Sequence, residues 1–290
     1  MIYDVRHRTV FGYEQSVSVS QHVLHLRPRD TTSQAVHDYR LEVTPEPTSH
    51  TQASDYFGNT TEFLSIHEPH NNLVVEANSV VEVAAPEVYD AAASVSWESL
   101  VAQLRAGPPE VIDALQYCFE SPYIEGDADV HAFATASFAA QRPIVEAVME
   151  LTSRIFDEFE YQGGVSDVST PVSQVLAMRK GVCQDFAHLQ IAAVRSMGLA
   201  ARYVSGYLMT HPPEGQEKLI GSDASHAWLS VWCGDAGWID FDPTNRLIPR
   251  DEHITVAWGR DYGDVSPVNG FIVGGGHHTV TVGVDVLPRI

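Results

Sequence analysis

Apolar and polar residues alternate with a period of two along the first part of the chain. The alternation is clear at residues 3–11, 17–19 and 39–43, and apolar segments follow at residues 63–66 and 73–83. A period of two is typical of strands that bury one face. The Pro, Gly, Asn and Asp residues between these segments are typical of turns. The pattern therefore predicts several short strands in a β-sandwich-like domain.

From about Pro86 onward, apolar residues follow helical spacing instead. Caps, prolines and glycines indicate where each helix begins and ends. The predicted helices cover residues 97–104, 108–119, 144–159, a segment that begins at Pro171 and is stopped by Gly181, and a segment that begins at Cys183 and ends at Gly198. The helix after Pro143 has the most regular i, i+3/i+4 spacing, so we expect one of its faces to pack on a core.

The period of two returns after these helices. Strands are predicted at residues 202–208, 225–232, 238–241 and 279–287. Strands, then helices, then strands indicate an α+β fold rather than repeated βαβ units. We divide the chain into an N-terminal β-domain (residues 1–85), a core of helices packed on an antiparallel sheet (86–250) and a C-terminal extension (251–290), whose strand packs on the core or on the β-domain.

Composition narrows the classes of function. The chain has 290 residues, 44% of them hydrophobic, and a formal net charge of −21. This acidic balance argues against partners such as nucleic acid or an anionic membrane, because both require a basic surface. The N-terminus has no apolar segment typical of a signal peptide, and no apolar run is long enough to cross a membrane. We expect a cytoplasmic protein.

Three cysteines, Cys118, Cys183 and Cys233, are too few for a disulfide framework, and their odd number leaves at least one thiol free. No two of them form a C-x-x-C pair, so a structural zinc site is not expected. Cys118 and Cys233 lie in apolar stretches, which predicts burial. No cofactor-binding motif is present, and we predict neither a cofactor nor a metal.

Cys183 differs from the other two cysteines because it comes two residues after Gly181, at the start of a predicted helix. A helix N-terminus carries about half a positive charge, which stabilises a thiolate. Its free backbone N–H groups can also bind an oxyanion. These features are typical of a nucleophilic cysteine.

A thiolate needs a base, and the base needs an orienting group. His226 lies on a predicted strand, and Asp242 lies at the end of the next one. A hairpin that joins the two strands places these side chains together, and the helix can bring Cys183 opposite them. The order Cys, His, Asp is that of a papain-type thiol catalyst. Asp240 is the alternative orienting carboxylate.

Four segments in this order resemble the core of bacterial transglutaminase-like proteins, which belong to the transglutaminase and cysteine-protease superfamily. They are Gly-Val-Cys-Gln-Asp-Phe-Ala-His (residues 181–188), Ala-Arg-Tyr-Val-Ser-Gly-Tyr (201–207), Ser-His-Ala-Trp (225–228) and Phe-Asp-Pro-Thr-Asn (241–245). Leu-Arg-Pro-Arg (26–29), Asp-Tyr-Phe-Gly-Asn (55–59) and residues 256–265 are similar to segments of the same family, so the resemblance covers most of the chain.

The resemblance implies Cys183 as nucleophile, His226 as general acid and base, and Asp242 as the orienting carboxylate. The backbone N–H of Cys183 is one expected oxyanion donor, and Tyr161 is a candidate for the second. No segment resembles the calcium sites of animal transglutaminases, so calcium activation is not implied.

We therefore expect a cysteine-dependent acyl-transfer enzyme that hydrolyses peptide or amide bonds. The triad leaves other outcomes open: a protein-glutamine gamma-glutamyltransferase with an amine acceptor, acyl transfer from a thioester cofactor to an arylamine, or a non-catalytic peptide-binding module. Because the chain is acidic, neutral or basic peptides are the expected substrates. The sequence does not indicate an oligomeric state.

Overall fold

The structure, a computed structural model, describes residues 1–85, 90–210 and 224–289. The predicted change of period at Pro86 lies outside these ranges. Within them, no helix is both long enough and apolar enough to cross a bilayer. The predicted cytoplasmic location stays an expectation.

The N-terminal part of the chain forms most of a seven-stranded sheet. Its strands are β1 (Ile2–Leu24), β2 (Gln34–Thr44), β3 (Ser49–Ser54), β4 (Thr60–Ile66) and β5 (His70–Val83). The hydrogen-bonded order is β2-β5-β1-β4-β3. The sequence predicts separate strands around residues 3–11 and 17–19, but β1 is a single long strand that pairs first with β5 and then with β4.

The two halves of this sheet share one apolar cluster. Leu24, Leu64 and Ile66 come from the half around β4, and Leu73 and Val75 come from β5; all five are almost completely buried. Period-two alternation in each strand turns these side chains to the same side. One continuous sheet thus buries a sandwich-like core, although its strands do not divide into two separate sheets.

A second sheet has four strands and supports the candidate site. The helices and strands of this part are α1 (Trp97–Ala106), α2 (Ile112–Leu115), α3 (Ala128–Thr135), α4 (Ile144–Glu158), β6 (Glu160–Tyr161), α5 (Val172–Met178), β7 (Lys180–Gly181), α6 (Cys183–Ser196), β8 (Ala201–Leu208), β9 (Ala224–Trp232), β10 (Trp238–Phe241) and β11 (His253–Gly259). The order is β10-β9-β8-β11, and all pairs are antiparallel. Helix α6 packs on this sheet, which confirms the α+β class.

The last two strands return to the first sheet. Strands β12 (Val268–Gly274) and β13 (His278–Pro288) both pair with β1. Strand β11, which also lies beyond residue 250, instead completes the sheet of the core. Residues 251–290 therefore contribute to both sheets, and the division into three segments stays a prediction.

The helix predicted over residues 108–119 is wrong as a single element. This stretch consists of a 3₁₀ turn at Pro109–Val111, the short helix α2 and a second 3₁₀ turn at Gln116–Cys118. Val111, Ala114 and Tyr117 are its buried residues. Residues three positions apart lie on one side of a 3₁₀ helix, whereas in an α-helix they shift gradually around the axis. The spacing of these buried residues therefore favours 3₁₀ turns.

Three segments that are distant in sequence meet where the two sheets join. The Arg29 guanidinium lies 3.6 Å from the centre of the Trp258 ring. The fully buried Asn59 side chain donates to the backbone carbonyl of Trp258 at 2.8 Å and accepts from its backbone N–H at 3.0 Å. These contacts explain structurally why Arg29, Asn59 and Trp258 occur in the family-like segments: they fasten the N-terminal sheet to β11.

Three buried histidines should make the fold acid-sensitive. Burial lowers the pKa of His7 and His22 to about 4 and that of His188 to about 3. Below pH 6.5 the unfolded chain binds protons at these positions and the native chain does not, so the free energy of unfolding decreases as the pH is lowered. Each histidine lowers the free energy of unfolding by at most about 1.4 kcal/mol per pH unit. Urea unfolding measured between pH 6 and 5 should show this slope.

The variant His22→Leu tests the assignment, and it is suitable because Nε2 of His22 has no hydrogen-bond partner to lose. It should reduce the dependence of the free energy of unfolding on pH by the equivalent of about one proton per molecule. His226 does not contribute in this window: its pKa is raised, so both its native and unfolded forms are protonated there. An unchanged slope in His22→Leu would contradict the assignment.

Candidate active site

Cys183 is the first residue of α6, as the sequence predicts, and its side chain is partly exposed. The carboxylate of Asp185 caps the helix by accepting the N–H of Val182 at 2.7 Å. Ser166 donates to the same oxygen at 2.6 Å. This cap fixes the turn that carries the thiol and leaves the first helical N–H groups available.

Gly181 does not end the preceding helix, which corrects the sequence prediction. Helix α5 ends at Met178, and Arg179 adopts the left-handed conformation with φ 55°. Gly181 instead lies in β7, where a Cβ atom would come within 2.7 Å of the Asp185 carboxylate. A glycine is therefore required at position 181 because the Asp185 carboxylate approaches closely, and not because a helix ends there.

His226, on β9, connects the thiol to a carboxylate. Its Nε2 lies 2.7 Å from Oδ2 of Asp242, and the Cys183 side chain lies near enough to help raise the pKa of the same ring. Since Nε2 faces Asp242, Nδ1 is the nitrogen left for the thiol. His226 is 6% exposed and Asp242 is fully buried. The structure thus brings together the three residues that sequence reasoning selected.

Asp242 accepts hydrogen bonds from five donors. Oδ1 accepts the backbone N–H groups of Thr244 at 2.9 Å and Asn245 at 3.1 Å. Oδ2 accepts His226, the side-chain amide of Asn245 at 2.7 Å, and Nε2 of His253 at 3.0 Å. The Asp-Pro-Thr-Asn turn therefore supplies three of the donors itself, and the carboxylate is held in one orientation.

Asp240, the alternative orienting group, does not contact His226. Its Oδ2 accepts the indole N–H of Trp228 at 2.8 Å. Asp240 lies within β10, opposite Ser230 of β9, whereas Asp242 lies beyond the end of the strand. The chain turns after Phe241, and this turn carries Asp242 to the imidazole.

The charges of the pair stabilise one another. Burial alone would lower the pKa of His226, but the hydrogen bonds and charges of Asp242 and Cys183 outweigh burial and hold it well above its ordinary value. Burial alone would raise the pKa of Asp242, but hydrogen bonds from His226, His253 and Asn245 hold it well below its ordinary value. An imidazolium facing a carboxylate is the form that stabilises a neighbouring thiolate.

Tyr161, the candidate for the second oxyanion donor, lies beside the nucleophile. It pairs with Gly181 across the short ladder between β6 and β7, and its side chain is 59% exposed. Burial of part of the ring, and then the charge of Cys183, raise the pKa of its hydroxyl. The hydroxyl therefore remains a neutral donor at neutral pH, and its oxyanion role stays a prediction.

The other cysteines and His188 lie apart from this constellation. Cys233 is 2% exposed, whereas Cys118 is only partly buried, less than its apolar surroundings suggest. His188 projects from α6 and accepts the backbone N–H of Tyr262 at 3.1 Å through Nε2. This bond requires an unprotonated Nε2, in keeping with its lowered pKa.

Sequence reasoning missed His253, which contacts Asp242 from β11. The edge of its ring lies against Trp228, with 5.2 Å between ring centres. Strand β8 separates β11 from β9, and the Trp228 ring passes over it at Gly206, where no side chain stands in its way. No local pattern marks His253, but Gly206 in a buried strand is a signal that another group approaches closely.

Among the residues that the structure describes, one group has a spacing that could hold a metal ion. Ligand atoms of His226, Asp242 and His253 lie within 4.8 Å of one another, and all three residues are buried. Both imidazoles are at N–H···O hydrogen-bond distance from Asp242. The arrangement is therefore complete as a hydrogen-bonded cluster, and we continue to expect no metal.

Replacing Gly206 by alanine should destabilise the protein. A Cβ atom there would lie 2.2 Å from the carbonyl oxygen of Ile254 and 2.4 Å from the Trp228 ring. We expect the free energy of unfolding to fall by about 1–3 kcal/mol because a packed sheet must shift. Gly163→Ala is the matched control: its Cβ meets nothing within 4 Å, and we expect a change below about 0.5 kcal/mol. Equal losses in urea unfolding would refute the packing argument.

Comparisons with known proteins agree with these features. A profile described as "Bacterial transglutaminase-like N-terminal region" matches residues 3–82, and one described as "Transglutaminase-like superfamily" matches residues 131–243. An uncharacterized protein of Mycobacterium tuberculosis (strain H37Rv) is 38% identical over 305 residues, covering 99% of this chain and 92% of that protein. An uncharacterized protein of Mycobacterium leprae is 33% identical and covers 97% of each chain.

Of two further likenesses, one is confined to a short segment and one is a likeness of the whole fold. A protein-glutamine gamma-glutamyltransferase of Pseudomonas aeruginosa is 33% identical over 73 residues, which is 25% of this chain and 11% of that protein. A solved structure described as "a Putative Cysteine Protease from Cytophaga hutchinsonii" has a TM-score of 0.74 at 23% identity, covering 100% of this chain and 92% of that one. The structural likeness concerns the fold.

Proposed function

The chain belongs to the transglutaminase-like superfamily, and from this premise we propose that it is a cysteine-dependent acyl-transfer enzyme that hydrolyses peptide or amide bonds. One observation carries the proposal. A partly exposed thiol at a helix N-terminus lies near a buried histidine and raises its pKa, and that histidine is 2.7 Å from a buried carboxylate. A merely structural cysteine has no need of such a partner.

In the first half of the proposed reaction, the Cys183 thiolate attacks the carbonyl carbon of the substrate. A carbon–sulfur bond forms, and the carbonyl electron pair moves to oxygen. The backbone N–H of Cys183 lies in the first turn of α6 and can donate to this oxyanion, with Tyr161 as the second donor. When the oxyanion collapses, the carbon–nitrogen bond breaks, and the His226 imidazolium gives its proton to the leaving amine.

In the second half, neutral His226 takes a proton from water, and the oxygen attacks the thioester. The carbon–sulfur bond breaks, the carboxylic acid leaves, and the cysteine is restored. Asp242 keeps the imidazole oriented through both halves and stabilises its charged form. No step requires a metal or a cofactor.

The acceptor determines the product, because water yields an acid and an amine yields a cross-link. The partial likeness to a protein-glutamine gamma-glutamyltransferase makes amine transfer the second candidate. Incubation with a glutamine peptide and a tagged primary amine separates the two by mass spectrometry. We expect acid to exceed amide; predominant amine incorporation would replace hydrolysis by transglutamination.

Charge suggests the class of substrate. The net charge of −21 should attract neutral or basic peptides more than acidic ones. The sequence contains two lysines, which leaves few internal amines as acceptors. Matched peptides flanked by Lys or Glu should differ in kcat/KM at low salt and converge at high salt. No difference at low salt would remove this preference.

Two other possible functions predict different results in simple assays. A non-catalytic peptide-binding module would bind peptides without turnover and would show an unreactive Cys183. An enzyme that transfers acyl groups from a thioester cofactor to arylamines would be acylated by an acyl thioester but by no peptide. An activity-based thiol probe, followed by a peptide library, distinguishes both from hydrolysis.

A further inference from the structure

Asp242 is held by a histidine that belongs to none of the family-like segments. Nε2 of His253 lies 3.0 Å from Oδ2 of Asp242, the same oxygen that faces His226. The two histidines reach it from β11 and β9, two strands that are not neighbours. A carboxylate that receives N–H groups from two directions cannot rotate without losing one of them.

The other nitrogen of His253 indicates what the residue is for. Nδ1 is buried and has no hydrogen-bond partner, while the residue as a whole is 7% exposed. A buried polar atom without a partner is unfavourable, so a histidine kept only for packing would be replaced by an apolar side chain at a gain. The bond to Asp242 is the one polar interaction of this ring among the described residues.

The surroundings of the ring also favour this role. The Trp228 ring is nearly perpendicular to it, with 5.2 Å between the ring centres, and Gly206 provides the space that the Trp228 ring occupies. Behind the ring lies a cavity of about 560 Å³ between the two sheets, which His253 and Val204 help to line. The contacts that position the ring are those with Trp228 and Asp242.

We propose that His253 is a positioning residue, a second histidine that holds the orienting carboxylate Asp242 and through it the alignment of His226 with Cys183. The inference rests on the proposed function. Nε2–H of His253 donates to Asp242. The polar contact of His253 with the triad is its bond to Asp242, and its ring centre also lies 5.9 Å from that of His226.

The test uses two variants that differ in one hydrogen bond. His253→Gln keeps an N–H donor near the position of Nε2, whereas His253→Leu has a similar volume and no donor. The readout is the rate at which iodoacetamide alkylates Cys183 in the full-length protein at pH 7, followed by peptide mass spectrometry. A hydrogen bond to a charged group supports an effect of about tenfold. We expect His253→Leu to react about tenfold more slowly than wild type, and His253→Gln to remain within about threefold.

Val204→Ala controls for loss of stability, since Val204 is buried and lines the same cavity. It should lower the midpoint of urea unfolding without slowing alkylation. If both His253 variants react like wild type, or both lose reactivity equally, the positioning role is refuted. If His253→Leu fails to fold, reactivity of His253→Gln more than threefold below wild type also refutes it.

The wild-type rate separates this inference from the proposed function. If the wild-type thiol reacts no faster than a free cysteine, the enzyme proposal fails. If the wild-type thiol is activated and His253→Leu leaves it unchanged, only the role of His253 fails.

Discussion

Replacing Cys183 by alanine should abolish turnover and leave the fold intact. Without the thiol no thioester can form, and removal of a catalytic nucleophile lowers kcat by about 10⁴-fold or more in comparable enzymes. The fold should persist because Cys183 is the partly exposed first residue of α6, where alanine fits the helix well. The measurement is kcat/KM on a hydrolysed peptide, with urea unfolding of the same sample.

Cys233→Ala is the matched control. Cys233 is 2% exposed, and its Sγ lies 3.5 Å from the carbonyl oxygen of Val231, so it cannot reach a substrate. This variant should keep kcat and lose a small amount of stability. Turnover by Cys183→Ala within tenfold of wild type would exclude the thioester mechanism.

The same pair of variants can be examined by alkylation. Burial raises the pKa of Cys118 to about 11, and burial also raises the pKa of Cys233. Both groups are therefore thiols at pH 7, and the thiolate is the reactive form. Iodoacetamide should label the wild-type protein at Cys183 first, and the Cys183→Ala variant should take up label far more slowly.

The sequence predicts the site well where the relevant pattern is local. Gly181, two residues before Cys183, and helical spacing after it predict the thiol at the start of a helix, and the structure places it there. The period of two in β9 and β10 predicts the hairpin that brings His226 toward the end of β10. These features depend on residues within one turn or one hairpin, so one-dimensional spacing is sufficient.

Periodicity is insufficient where the chain leaves regular structure. It cannot distinguish Asp240 from Asp242, because the decision is made by the turn after Phe241, outside the strand. It also misassigns Gly181, whose role depends on the approach of the Asp185 side chain rather than on a helix stop. In both places the decisive contact is made by an aspartate side chain, Asp242 or Asp185, at a turn. The spacing of apolar residues does not indicate where such a side chain points.

Contacts between distant segments are the least predictable. His253 meets Asp242 across β8, and Arg29 and Asn59 meet Trp258 across the junction of the two sheets. Each contact depends on the order of strands, which the alternation of apolar residues does not specify. The family-like segments do contain Arg29, Asn59 and Trp258, but only the structure explains why these residue types are needed.

Replacing Asp242 by asparagine should lower kcat by about 10³-fold or more, with little change in KM. An orienting carboxylate keeps the imidazole in the productive tautomer and stabilises its charged form, and asparagine does not supply the negative charge. Asparagine can serve in this position in papain-like enzymes, but the surroundings here oppose it. Oδ1 faces two N–H donors and Oδ2 faces three, so an amide NH₂ group meets donors in either orientation.

Asp240→Asn provides the matched control for this change, two residues earlier in the chain, within β10. Asp240 accepts from Trp228, and an asparagine amide oxygen can still accept that bond. Its kcat should stay within about threefold of wild type, since His226 is untouched. Steady-state kinetics on both variants, at a temperature where circular dichroism shows each to be folded, make the comparison. Equal losses would mean that the summed negative charge of the two aspartates, and not the contact of Asp242 with His226, supports the reaction. A large loss in Asp242→Asn alone would assign the orienting role to Asp242, because both variants remove one negative charge from neighbouring positions.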